Sequence, residues 1–82
     1  MYIQLISERS KKRAEELVCV INDHNYNTGG SWSIASDRVW YERYDGVTLS
    51  SEDMFSLLKW FCDDFLISGM RTNMDYQIII NS

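Results

Sequence analysis

The spacing of apolar residues changes repeatedly along this chain, and each change marks an element. Residues 2–7 (YIQLIS) are rich in β-forming side chains and too few for a helix, which predicts a strand. Ala14, Leu17, Val18 and Ile21 then recur at i, i+3, i+4 and i+7. That spacing puts them on one face of a helix over about 8–23, capped by Ser7 or Ser10. On its solvent side, Lys11 with Glu15 and Lys12 with Glu16 are spaced as i,i+4 ion pairs. Residues 24–30, from His24 to Gly30, have the composition of a loop. Two β-like stretches follow at 31–36 and 38–44. Asp45-Gly46 suits a type I′ turn, so Val47-Thr48-Leu49 reads as an extra short strand. Ser50, with Asp53 three residues on, resembles a capping box. Met54, Leu57, Leu58, Phe61 and Phe65 form the inward stripe of a second helix, widened by Phe55, Trp60, Cys62 and Leu66. Gly69 suits the position just past its end. Residues 76–81 (YQIIIN) predict a last strand.

The element order is β-α-β-β-α-β, with the extra short strand at 47–49 as an option. In that order the chain resembles the ferredoxin-like sandwich, an α+β fold with two helices on one face of a mainly antiparallel sheet. At 82 residues it makes a single domain, 1–82. Alternation along the strands assigns Ile3, Leu5, Ile34, Val39, Tyr41, Ile78 and Ile80 to the helix-packed face. It leaves Tyr2, Ile6, Trp40, Tyr44 and Ile79 on a face that two helices cannot also cover. The alternative is that the 24–30 loop lies over Trp40 and Tyr44.

Composition supports a folded domain, since 45% of residues are hydrophobic and 24% charged. Cys19 and Cys62 each fall inside an apolar helical pattern, and read as buried thiols packing as small hydrophobes. Residues 1–6 are too short and lack the basic leader of a signal peptide. Lys59, Asp63 and Asp64 break the longest apolar stretch, so no membrane span is expected and the expected compartment is cytoplasmic. The net charge of −4 is uneven. Six basic and six acidic residues cancel over 1–43. The excess comes from Asp45, Glu52, Asp53, Asp63, Asp64 and Asp75 against Lys59 and Arg71. Such a half argues against a phosphate-backbone partner and leaves room for a basic one.

Catalytic and metal chemistry finds little to stand on. His24 is the single histidine, and its neighbour Asp23 makes a sequence pair rather than a geometric dyad. Neither cysteine has a neighbouring base, and one His with two distant Cys gives no zinc spacing. Gly29-Gly30 lacks the Lys-Ser/Thr of a phosphate-binding loop. The expectation is therefore no enzyme, no catalytic residue, no metal and no cofactor. Two placements run against helix dipoles: the basic run Lys11-Lys12-Arg13 near a helix start, and Asp63-Asp64 near a helix end. The basic run reads as a solvated face neutralised by Glu8, Glu15 and Glu16, with a bound phosphate as the other option.

What remains is a surface. Tyr2, Trp40 and Tyr44 supply its aromatic part, and Glu52, Asp53, Asp63, Asp64 and Asp75 its acidic part. Exposed aromatic patches mark interaction surfaces, so the expected partner is a protein, in the strongest form one with a basic nucleic-acid-binding surface. In overall style the chain resembles the small acidic inhibitors that bacteriophages direct against host defence or transcription proteins. The other reading is a single-stranded RNA or DNA binder. The RNA-recognition motif shares this element order and stacks bases on aromatics of its first and third strands. Here Tyr2 and Trp40 or Tyr41 would take those parts, although the Gly/Phe-rich consensus of that family is absent. An enzyme or small-molecule sensor with a site between subunits is a third reading, and a homodimer is compatible with all three.

Overall fold

The computed structural model describes residues 1–23 and 29–80. Their order is β1 (Tyr2–Leu5), α1 (Glu8–Asp23), β2 (Gly30–Ile34), β3 (Arg38–Arg43), α2 (Ser51–Ile67) and β4 (Tyr76–Ile79). The four strands form one sheet in the order β2-β3-β1-β4, with every neighbouring pair antiparallel. This is the ferredoxin-like arrangement, an α+β sandwich with the two helices layered on one face of the sheet. No helix of the described residues is long and apolar enough to cross a membrane. The expected loop over 24–28, with His24, and residue Asn81 of the expected last strand lie outside the described residues.

The helix ends follow from side-chain chemistry. Ser7 caps α1, its hydroxyl accepting from the Ser10 N–H at 3.2 Å, while the Ser10 hydroxyl donates to the Ser7 carbonyl at 2.8 Å. Ser50 caps α2 in the same way, accepting from the Asp53 N–H. At the other end Gly69 takes φ +87°. There the Gly69 N–H donates to the Leu66 carbonyl and the Met70 N–H to the Phe65 carbonyl. Those two bonds are a Schellman motif, and the packing of Met70 and Phe65 into the core closes it.

The extra strand expected at 47–49 is absent, and the topology says why. β3 already lies between β2 and β1, so it has no spare edge. The chain instead turns away at Asp45, whose carboxylate accepts from the Val47 N–H and the Arg43 side chain. Gly46 takes φ +74° in that turn. The hairpin turn is earlier, across Ala35-Ser36-Asp37, closed by the Ala35 N–H on the Arg38 carbonyl.

The core lies between the sheet and the helices. Ile3 and Leu5 of β1 face Val39 of β3 and Ile78 and Tyr76 of β4, all on the covered side. A line of rings crosses the domain: Trp32 packs on Phe61 at 4.8 Å, Phe61 on Phe65 at 5.3 Å, and Phe65 on Tyr76 at 5.1 Å. Gly30 makes room for Tyr41, since a Cβ there would overlap the Tyr41 hydroxyl and the Glu42 carbonyl. Ile80 departs from its expected core position and is exposed, because β4 ends at Ile79. Cys19 is exposed as well, and only Cys62 is a buried thiol. Cys19 is one step of about 100° past Val18 on α1, which turns it about 150° from the middle of the stripe of Ala14, Leu17, Val18 and Ile21.

Candidate interaction surface

The two dipole-opposed placements meet each other in the fold. The start of α1 lies beside the end of α2, and Arg13 grips Asp64 with two hydrogen bonds of 2.8 Å. One turn earlier Arg9 holds Asp75 in the same bidentate way, at 2.8 and 2.7 Å. Asp75 is only 5% exposed. Its carboxylate also accepts the Arg71 N–H, and its carbonyl accepts the N–H groups of Ile6 and Ser7. The Arg9 guanidinium, then the Arg71 N–H and the Ser7 hydroxyl, hold this carboxyl well below the usual carboxylate range. The pairs expected with Glu15 and with Glu16 on Lys12 do not form; Lys11 pairs with Glu8, and Glu16 with Arg13.

This corrects the acidic part of the expected surface. Asp75 is a buried clasp that ties the loop before β4 to α1. Asp64 is engaged by Arg13 and a quarter exposed. Glu52, Asp53 and Asp63 remain exposed, all on α2. They therefore belong to the helix layer, whereas the aromatic residues belong to the opposite face of the sheet. The acidic and aromatic parts are two surfaces, not one.

The open sheet face follows from register. Ile3 pairs with Val39, and the same register carries Tyr2 on β1 alongside Trp40 on β3. Ile79 flanks Tyr2 from β4, and Ser33 flanks Trp40 from β2. A second row runs Gln77, Gln4, Arg38. The Arg38 guanidinium carbon stands 4.5 Å over the Tyr2 ring, in cation–π range. Trp40 donates its indole N–H to Glu42 at 2.8 Å, which fixes the ring against β3. Gln4 donates to the Asp37 carboxylate and holds that carboxyl below its ordinary range.

Of the expected aromatic set, Tyr2, Trp40 and Ile79 come together here. Tyr44 lies beyond the end of β3, 73% exposed, and Ile6 beyond the other end of β1. Gln4, Arg38 and Glu42 join the face as well, and alternation along β1 and β3 is the signal that finds them. Among the described residues no group of three His, Cys, Asp or Glu side chains converges as a metal site. No protein-family model, curated protein or solved structure matches this chain.

Proposed function

We propose that this chain is a non-enzymatic, cytoplasmic protein-interaction domain that engages its partner with the uncovered face of its sheet. The observation that carries this reading is the placement of Tyr2 and Trp40 side by side on the two central strands, with no helix over them. Both rings are half-buried, and Arg38 and Glu42 hold them in fixed orientations. A rigid aromatic pair rimmed by polar groups is how protein interfaces present their anchors.

The charge of the face supports a protein over a nucleic acid. Arg38 is offset by Glu42, which leaves no positive stripe to follow a phosphate backbone. The narrower reading, an inhibitor that fills a basic groove with carboxylates, retains Glu52, Asp53 and Asp63. The single-strand reading keeps one specific point in its favour: the first and third strands are where base-stacking aromatics sit in this architecture.

Affinity capture from the native host, with intact chain and with variants, tests the proposal. Trp40→Ala and Tyr2→Ala are expected to lose a stoichiometric protein partner while melting near the parent temperature. Retention of the partner by both would overturn the reading. A salt-sensitive quench of tryptophan fluorescence by a random single-stranded oligonucleotide, lost in Trp40→Ala, would replace it with the nucleic-acid reading.

A further inference from the structure

α2 carries large apolar side chains on two sides. Leu58, Phe61 and Phe65 face the sheet, and each is fully buried. About 160° around the helix a second stripe recurs at i, i+4, i+7 and i+11: Ser56, Trp60, Asp63 and Ile67. All four are exposed, Trp60 by 52% and Ile67 by 87%. An apolar side chain standing alone at a surface is ordinary. Trp60 and Ile67 instead share one stripe, two turns apart, which is the spacing by which one helix anchors another.

Carboxylates frame the stripe. Glu52 and Asp53 stand in the first turn, where the helix dipole favours them. Asp63 has no such reason for its place, since it lies toward the C-terminal end, where the dipole opposes a negative charge. Its neighbour Asp64 is offset by Arg13. No ion pair among the described residues engages Asp63, Glu52 or Asp53, and Lys59, the one cation of α2, pairs with none of them. The exposed charge of α2 is thus three carboxylates against one ammonium.

We propose that this stripe seats a basic amphipathic helix of a partner protein. The partner lays two apolar side chains against Trp60 and Ile67. It sets Lys or Arg opposite Asp63 between them, and opposite Glu52 and Asp53 beyond the Trp60 end. Ser56 is small and leaves room for the crossing helix. Charge argues against a second copy here, because two such faces would bring an excess of carboxylates together. It argues against nucleic acid for the same reason. From Glu52 to Ile67 the stripe runs about 22 Å, which about 15 residues of partner helix cover. The proposal takes up the carboxylates of the narrower reading above and does not depend on the sheet face. The stripe lies on the helix layer, so filling it leaves the Tyr2–Trp40 face open.

The anisotropy of a fluorescein-labelled Leu/Lys peptide of helical period, about 18 residues long, tests this at low salt. Saturable binding is expected, weakening as salt rises, with none for a Leu/Glu peptide of the same pattern. Asp63→Lys and Ile67→Glu should each raise Kd about tenfold with unchanged circular dichroism, since both positions are exposed. Glu15→Lys makes the same charge change on α1 and should leave Kd as it was. Trp40→Ala should also bind as the parent does, which separates this stripe from the proposed partner face. Absence of saturable binding by the Leu/Lys peptide would overturn the proposal, as would binding indifferent to Asp63→Lys and Ile67→Glu. An equal loss in Glu15→Lys would reduce the binding to net charge and overturn it too. Self-association of the chain that Ile67→Glu removes would give the stripe to a second copy instead.

Discussion

Trp32 and Trp40 stand on the two strands of one hairpin and leave the sheet on opposite faces. Trp32 sits opposite Tyr41 in the register, and Trp40 opposite Ser33. Trp32 is 3% exposed and lies against Phe61 and Tyr41, inside the line of rings that joins β2 to α2 and β4. Trp40 is half-buried, tied to Glu42 and flanked by Tyr2, with no helix of the described residues above it. The same residue type in the same hairpin thus serves two ends. One face of the sheet holds the domain together, and the other is covered by neither α1 nor α2.

The largest effect should come from the covered face. Trp32→Ala removes a side chain that fills the space between β2 and α2, and such truncations destabilise by about 3–5 kcal/mol. For a domain of this size that is a large part of the total stability. Denaturant unfolding followed by circular dichroism is expected to show a mostly unfolded variant. A fully folded Trp32→Ala protein would break the distinction between the faces.

Next in size is the clasp beneath the covered layer. Asp75→Asn leaves the shape but removes the charge that Arg9 and the Arg71 N–H grip, and should lower Tm by several degrees. The sign of the pH dependence follows from the depressed carboxyl. Its contribution is fully present above the unfolded carboxylate value of about 4 and is lost as pH falls below it. Thermal melts between pH 7 and pH 2 should therefore steepen for the parent chain at the acid end. They should flatten for Asp75→Asn.

The thiols sharpen the comparison at a smaller scale. Cys62 is buried in the covered layer, and burial, with Asp63 beside it, pushes its thiol up to about 12. Cys19 is on the outer side of α1. A thiol reagent at neutral pH is expected to label Cys19 in a burst and Cys62 only as the domain opens. Because the folded value lies above the unfolded one of about 8.5, the buried thiol's contribution is full below that pH and declines as pH rises toward 12. Cys62→Ala should blunt that alkaline loss. Equal labelling of the two cysteines would contradict the burial.

Much of the covered face was legible because periodicity and burial have the same cause. Ala14, Leu17, Val18 and Ile21 define α1, the Ser50 and Gly69 signals bracket α2, and alternation puts Ile3, Leu5, Val39 and Tyr41 inside. Trp32 lies in the β-like stretch 31–36 on the same side as Ile34, but the expected covered face leaves it out, and its pairing with Tyr41 and its packing on Phe61 put it there. Residues 47–49 look like a strand because Asp-Gly turns favour hairpins. Whether β3 has a spare edge, however, is a property of the whole sheet. Asp64 and Asp75 look like surface carboxylates for a related reason. Their partners Arg13 and Arg9 are distant in the chain; the approach of α1 to α2 joins the first pair, and the pairing of β4 with β1 brings the loop that carries Asp75 to α1 for the second. On the open face, alternation gives Tyr2 and Trp40 their side, but their adjacency depends on β1 lying next to β3.

The smallest stability effect belongs to the residue that carries the proposed function. Trp40→Ala gives up part of a ring already in contact with water and one hydrogen bond, that to Glu42, which is itself exposed. It opens no cavity, because nothing packs over the ring from the helix layer. The expected change is below about 1 kcal/mol, the range of a surface substitution. Binding should behave oppositely, since a central aromatic anchor at an interface is worth about 2 kcal/mol or more when truncated. Measuring both on one protein, by denaturant melt and by titration against the captured partner, gives a ratio that separates the two roles. If Trp40→Ala instead unfolds like Trp32→Ala, the open face is part of the core in all but position, and the surface proposed for the partner is the wrong one.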